Sequence, residues 1–280
     1  MCYGSVTCAA FVSITKGVSV NARFRMKRKV ALGVTALVAV TVSAVSASAA
    51  PFPDGNGSSD HWGVITRNTV GSPVAALRTG PFGSFGVQGP AARPPYGQGS
   101  LGIETADDST SLTPSSEMVV FGNEVDFYGA PVLGLNQVGF RVFQTSENVS
   151  YGGAGNMPNI RFEINPNLTG APASTYSSMV WVPGPSPVVD RWSPYLDATT
   201  TGRWFLTGTA ATVTGCTQVA QCTFQQLKTA LNDGGPQPTI YTAAVSKGRD
   251  SMWIGAVDGL RINRTVYDFE ADGVKTHRIG

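Results

Sequence analysis

The sequence predicts an all-β protein: an antiparallel two-sheet β-sandwich with one short helix. Three observations carry this. Residues Ile160–Ile164 alternate strictly, apolar at 160, 162 and 164 and charged at 161 and 163, as in an antiparallel strand with one wet face. Near the C-terminus, Leu260 and Ile262 alternate with polar neighbours. Asn263 and Arg264 supply a tight turn, and Val266, Tyr267 and Phe269 resume β-preferring residues. A lone hairpin is marginal in water, so this one needs a larger sheet. Finally, glycine is abundant (33 residues) and charge is sparse (14%), which suits many short strands and tight turns and not a helical bundle.

Residues 1–49 are read as an upstream extension and a signal peptide. Lys27-Arg28-Lys29 is a positive n-region, and Val30 to Val42 is an apolar run diluted by Ala, Thr and Gly. Ala47-Ser48-Ala49 fits the small-residue cleavage rule and leaves Ala50 as the new start. The run falls short of the roughly 20 residues of a comfortable membrane span. The expectation is a secreted, extracellular protein, cleaved near Ala49, with no membrane span after cleavage. No twin arginine precedes the run, which favours the general secretory route. Met26 directly precedes the basic run, so Met1 and Met26 both stand as possible starts.

Processing changes the charge. All 18 acids but only 14 of the 20 Lys and Arg lie beyond residue 50, a net charge of −4. That gives no electrostatic footprint for nucleic acid or an anionic membrane surface. About 230 residues remain, enough for one sizeable all-β domain. Cys216 and Cys222 are the two cysteines that remain, and so close a pair in an exported chain reads as a disulfide. Two thiolates without a nearby histidine do not make a zinc site.

In chain order, Pro51 to Asp60 is a polar linker rich in Gly, Ser, Asp and Pro. The sandwich then spans 61–271, and 272–280 is a C-terminal tail. His61–Thr66 is the first expected strand. Gly99–Thr105 alternates with Leu101 and Ile103 on one face. Val119–Phe121, Glu124–Phe127, Val138–Phe143, Ile160–Ile164, Ser178–Val182, Arg203–Thr207 and Thr239–Val245 follow at strand-like spacing. Thr223-Phe224-Gln225-Gln226 has the form of a capping box, and Phe224, Leu227 and Leu231 fall on one helix face. Gly234-Gly235-Pro236 ends that helix. No repeat of 20–50 residues is visible. Strands, regular turns and a single helix fit a jelly-roll-like sandwich.

Several short motifs resemble a known group. They are Gly99-Ser100-Leu101, Phe127-Tyr128-Gly129 with Leu133 and Leu135, Trp204, the Thr223–Leu231 helix, Val257-Asp258-Gly259-Leu260 and Tyr267-Asp268-Phe269-Glu270. Together they are similar to secreted bacterial jelly rolls of the concanavalin A-like lectin and glucanase type and the laminin-G-like type. The resemblance spans about residue 60 to 271. It implies an extracellular domain that binds glycans, adheres to surfaces or cleaves polysaccharides, and fold alone does not choose among these.

Candidate chemistry follows the same lines. Glu124-Val125-Asp126-Phe127 resembles the Glu-x-Asp-x-x-Glu strand of laminarinase-type glycosidases, in which alternation sets acids on one strand face. The third acid is replaced here by Gly129, so Glu104 or Glu163 would have to supply the partner. Only His61 and His277 exist, both near the ends of the processed chain, where mobility is expected and no triad is supported. Gly152-Gly153-Ala154-Gly155 lacks the Lys-Ser/Thr of a phosphate loop. A structural Ca²⁺ is a further expectation from the resemblance, with Glu104, Asp107, Asp108 and Asp268 as candidate ligands. No other cofactor is implied. Trp181, Trp204, Tyr241 and Trp253 sit in strand patterns and read as core, whereas Tyr151, Trp192 and Tyr195 sit in loops rich in Gly, Pro and Ser. Exposed rings there could stack on sugars beside Asn156, Asp190 and Arg191, or else pack their own loops. The leading expectation is a non-catalytic carbohydrate-recognition module. The alternatives are an extracellular structural or adhesive module binding protein or cell wall through a sheet face, for which a broad apolar patch would be the mark, and a glycosidase using Glu124 and Asp126.

Overall fold

The period-two patterns resolve into two antiparallel sheets packed face to face. A computed structural model describes residues 50–53, 55–108, 112–113, 116–185 and 188–280. The basic run, the apolar run and the Ala49 cleavage position lie outside these residues. Among the described residues the strands are β1 (Gly57–Ser59), β2 (Trp62–Val64), β3 (Val74–Thr79), β4 (Gly99–Thr105) and β5 (Met118–Asn123). Next come β6 (Val138–Gln144), β7 (Asn159–Asn165), β8 (Ser177–Val182), β9 (Arg191–Trp192) and β10 (Leu196–Asp197). The last five are β11 (Arg203–Leu206), β12 (Thr239–Gly248), β13 (Trp253–Ile262), β14 (Thr265–Glu270) and β15 (Gly273–Arg278).

The first sheet runs β1-β15-β14-β13-β4-β3, with β6 on the other edge of β13 and the short β9 and β10 on β6. Its pivot is β13. Trp253–Val257 pairs with β4 and Leu260–Ile262 pairs with β14, while β6 follows the opposite edge. The register slips between Asp258 and Arg261. Gly259 sits in that slip at φ +61°, and a Cβ there would lie 2.4 Å from the Tyr96 ring, so a side chain is excluded twice over. Asn263, at φ +54°, closes the expected β13–β14 hairpin. The second sheet runs β11-β8-β7-β12-β5-β2.

The core fills the space between the sheets. Leu101, Phe140 and Val257 from one sheet meet Phe162, Trp181 and Val245 from the other, all fully buried. Phe140 and Trp181 meet edge to face at 5.5 Å. Trp62 gathers Phe121, Phe127, Tyr267 and Phe269 around its ring. Trp181, Trp204 and Trp253 are core as expected, but Tyr241 is half-buried and donates its hydroxyl to the Thr175 carbonyl at 3.0 Å.

Six expectations are corrected. Residues 57–59, inside the expected linker, form β1 on β15, and the expected tail is β15 itself, paired along all of β14. Gly57–Ser59 carries no β-preferring residue and Gly273–Arg278 only Val274 and Thr276, so backbone pairing along the sheet sets both strands. The expected first strand is confined to Trp62–Val64, and a 3₁₀ turn, Thr66–Asn68, follows it. There are three α-helices among the described residues, not one: α1 (Ser146–Gly152), α2 (Gly208–Thr214) and α3 (Phe224–Leu231). Short α1 and α2 show no long apolar period. A Thr145 cap starts α1, and Ala210 and Ala211 bury α2. In α3 the capping box forms as read, with Thr223 and Gln226 each bonding the other's backbone N–H.

Glu124–Phe127 is a turn, not a strand. Asn123 Oδ1 accepts from the N–H groups of Val125 and Asp126, which bends the chain. The two histidines are held in place. His61 Nδ1 lies 2.6 Å from Asp126, and His277 Nε2 lies 3.0 Å from Asp268.

Candidate functional site

Alternation on β7 sends Ile160, Phe162 and Ile164 into the core and Arg161 and Glu163 to the outer face of the six-stranded sheet. Register then fixes their neighbours. Arg161 lies between Val180 and Ala244, and Glu163 between Ser178 and Thr242. This face is divided into a covered half and an open half.

The covered half centres on Glu163. The segment after β2 folds over it, so that Ile65, Val120 and Ala244 form a small second apolar cluster. Arg67 Nη2 donates to Glu163 at 2.7 Å, and Arg67 also pairs with Glu124. Asn68 Nδ2, Tyr176 OH (3.0 Å) and Thr242 Oγ1 (3.3 Å) complete the shell. Glu163 is 2% exposed. Burial alone pushes its carboxyl up, but the donors from Arg67, Asn68 and Tyr176 outweigh burial and hold it below the ordinary carboxylate range. It is therefore a fixed anion and an unsuitable proton donor.

The open half is a groove of ≈ 420 Å³ across β11, β8, β7, β12 and β5. Its floor carries Arg161, Ser178, Val180, Phe205 and Ser246. One wall is Gln218 and Gln221, inside the loop closed by the Cys216–Cys222 disulfide. That loop is docked on β11: Leu206 N–H donates to the Cys216 carbonyl at 2.8 Å, and Trp204 and Cys222 exchange two bonds of 2.8 Å. The opposite wall is Gly248, the last residue of β12, with Arg249 and Asp250. Below that wall Lys247 is fully buried, held by Asn156 Oδ1 at 2.7 Å and by Asp250. Burial lowers the Lys247 pKa, and Asp250 and Asp107 act against it.

The structure disperses the loop residues expected to bind ligand. Trp192 packs on Phe143 at 5.7 Å and donates to the Ala92 carbonyl at 3.3 Å. Tyr195 lies over the Gly139 backbone, and its hydroxyl accepts from Gln137 at 3.3 Å. Burial pushes its pKa up to about 12. Asp190 Oδ1 accepts from Ser146 N–H at 3.0 Å, at the start of α1. Asn156 is buried between Lys247 and the Met252 carbonyl. Tyr151 donates to Glu147 along α1 at 2.6 Å. Of the six, only Arg191 is exposed; it pairs by backbone with Gln144 on the first sheet, away from the groove. Trp192 and Tyr195 pack against β6, and Tyr151 bonds within α1. Beside them lies a smaller depression of ≈ 340 Å³, lined by Trp181, Pro183, Pro185, Val188, Pro194 and Leu196.

The acids read as calcium ligands do not converge. Glu104 pairs with Ile254 at one end of β13, with Asp107 and Asp108 just after it. Asp268 follows Tyr267, which pairs with Leu260 at the other end, and it is engaged by His277. Among the described residues no group of three or more His, Cys, Asp or Glu side chains could hold a metal. The four acids therefore do not form a single calcium shell. The Glu124 and Asp126 carboxylates are both occupied. Glu124 pairs with Arg67, while Asp126 accepts from Ser59 and Asn123, each at 2.7 Å, and meets His61.

Sequence reasoning found the face without finding the groove. The charged positions 161 and 163 marked a wet side of β7, but nothing local showed which strands would flank it. Comparison with protein-family models, with curated proteins and with solved structures finds no match to this chain.

Proposed function

We propose that this protein is an exported, non-catalytic recognition module whose ligand is a carbohydrate, held in the groove on the outer face of the six-stranded sheet. The observation that carries the reading is the composition of that groove. Hydrogen-bonding groups (Asn159, Arg161, Ser178, Thr207, Gln218, Gln221, Ser246) are interleaved with apolar ones (Met118, Val180, Phe205). A sugar presents the same mixture, hydroxyls around its rim and C–H groups on its faces. The groove lies on rigid strands and on a disulfide-closed loop, which limits the ordering cost of binding.

Export is supported by the Cys216–Cys222 disulfide, since such bonds persist in oxidising compartments. Among the described residues no helix is long and apolar enough to cross a membrane. The likeness to concanavalin A-like jelly rolls rests on the two-sheet architecture and the motifs quoted above. Recognition without catalysis is supported by the state of Glu124, Asp126 and Glu163, each already engaged by a cation or by hydrogen-bond donors.

The test is a glycan and polysaccharide panel against the purified protein and a Gln218→Ala/Gln221→Ala variant. Both glutamines are on a surface loop, so the fold should survive. The proposal expects at least one hit, weakened by about tenfold or more in the variant. A blank panel, or a hit that ignores both glutamines and disappears in Trp192→Ala, would overturn it.

A further inference from the structure

We infer that the ligand of this groove is acidic, a uronate-bearing glycan whose carboxylate is received by Arg161. The inference rests on the carbohydrate reading of the groove and adds the class of sugar.

The starting point is the hydrogen-bonding state of Arg161. Guanidinium carries five N–H donors and is always charged. One donor of Arg161 reaches Ser178 Oγ at 2.7 Å, and another faces only the Met118 sulfur at 3.9 Å, a weak acceptor. Nε is buried with no partner. No carboxylate of the described residues lies within ion-pair distance of Arg161. Arg67, on the same sheet face, pairs with two carboxylates. A half-buried arginine that lacks an anion is costly to maintain, and a carboxylate entering the groove that Arg161 lines would supply one.

The surroundings point the same way. Val180 and Ala244, which flank Arg161 in the register, are both small apolar residues and offer it no acceptor. Phe205, paired with Val180, offers a ring to an apolar sugar face beside it. The groove contains one carboxylate, Asp250, and Lys247 already holds it. Arg249, whose Nε donates to the Ser116 carbonyl at 3.3 Å, also lines the wall. The groove is thus locally cationic in a chain whose charge beyond residue 50 is −4. A densely charged polyanion such as nucleic acid would be repelled by the rest of the surface, whereas a sugar chain with isolated carboxylates meets one anchored guanidinium.

The experiment is calorimetric titration of hexasaccharides of galacturonate, mannuronate and hyaluronan, each beside its carboxyl-reduced counterpart. The protein is wild type, Arg161→Gln and Arg161→Lys. At least one acid oligomer should bind, about tenfold or more weaker after carboxyl reduction and in Arg161→Gln, with Arg161→Lys in between because it keeps the charge and loses the planar fork. The reduced oligomers need no variant, so the result does not depend on Arg161→Gln folding. Equal binding of the acid and reduced forms would overturn the acidic assignment and leave carbohydrate recognition standing. No binding by any oligomer, acid or reduced, together with a blank glycan panel, would remove both.

Discussion

Arg67 Nη2 and Glu163 Oε2 meet at 2.7 Å across 96 positions of sequence, and this contact closes the covered half of the six-stranded sheet. Arg67→Ala leaves a buried carboxylate with only its neutral donors. The expected loss is about 1–3 kcal/mol of stability. The sign with pH follows from the direction of the shift. Glu163 is held below its unfolded value, so its contribution is present above the unfolded carboxylate pKa and is lost as pH falls through the folded one. In Arg67→Ala that loss should move to higher pH. Melting curves between mildly acidic and neutral pH would show it, and an unshifted acid limb would count against the pairing.

Asp258 predicts the opposite limb. Its carboxyl is buried under the β13 bulge, and burial pushes its pKa up to about 8. The Phe269 N–H at 3.0 Å and the Tyr96 N–H at 3.3 Å only partly offset this. Between the unfolded carboxylate pKa of about 3.9 and the folded value, the native state holds a proton that the unfolded chain has released. Stability therefore falls as pH rises through that window, by an amount on the order of a few kcal/mol. Asp268, also raised by burial, adds in the same direction. Asp258→Asn should flatten the alkaline limb, and a variant as pH-sensitive as wild type would refute the assignment.

The loop aromatics should matter for folding and not for binding. Trp192→Ala removes a ring packed on Phe143, and Tyr195→Ala one packed on Gly139. Each is expected to cost about 1–3 kcal/mol of stability and to leave glycan affinity unchanged. Denaturant titration paired with a binding assay separates the two roles.

Reduction of Cys216–Cys222 should cost about 2–3 kcal/mol, the loop-entropy figure for so short a ring. It should also loosen the Gln218–Gln221 wall and weaken ligand binding. A reduced protein that binds as well as the oxidised one would detach that loop from the site.

What was legible in the sequence follows the range of the forces involved. Period-two alternation reports one strand's own two faces, so Ile160–Ile164 and the β13–β14 hairpin were readable. The Thr223–Gln226 capping box is local and was readable too. The strands β1 and β15 were not, because Gly57–Ser59 carries no β-preferring residue and in Gly273–Arg278 Val274 and Thr276 stand among Lys275, His277 and Arg278, so backbone pairing with neighbours completes both. Glu124–Phe127 misled because its residues alternate, while the preceding Asn123 turns the chain. The groove was invisible for the same reason as the edges. Arg161 acquires Ser178, Val180 and Ala244 as neighbours only through pairing with β8 and β12. The loop rings looked like a binding site because composition does not report whether Trp192 reaches Ala92, 100 positions away.

The most direct measurement is a map of backbone amide shifts in the isotope-labelled protein as the uronate hexasaccharides are titrated in. The account predicts shifts clustered at Asn159, Arg161, Ser178, Val180, Gln221 and Ser246, on the outer face of the six-stranded sheet. Shifts confined to Asp190–Tyr195, or none anywhere on that face, would contradict it.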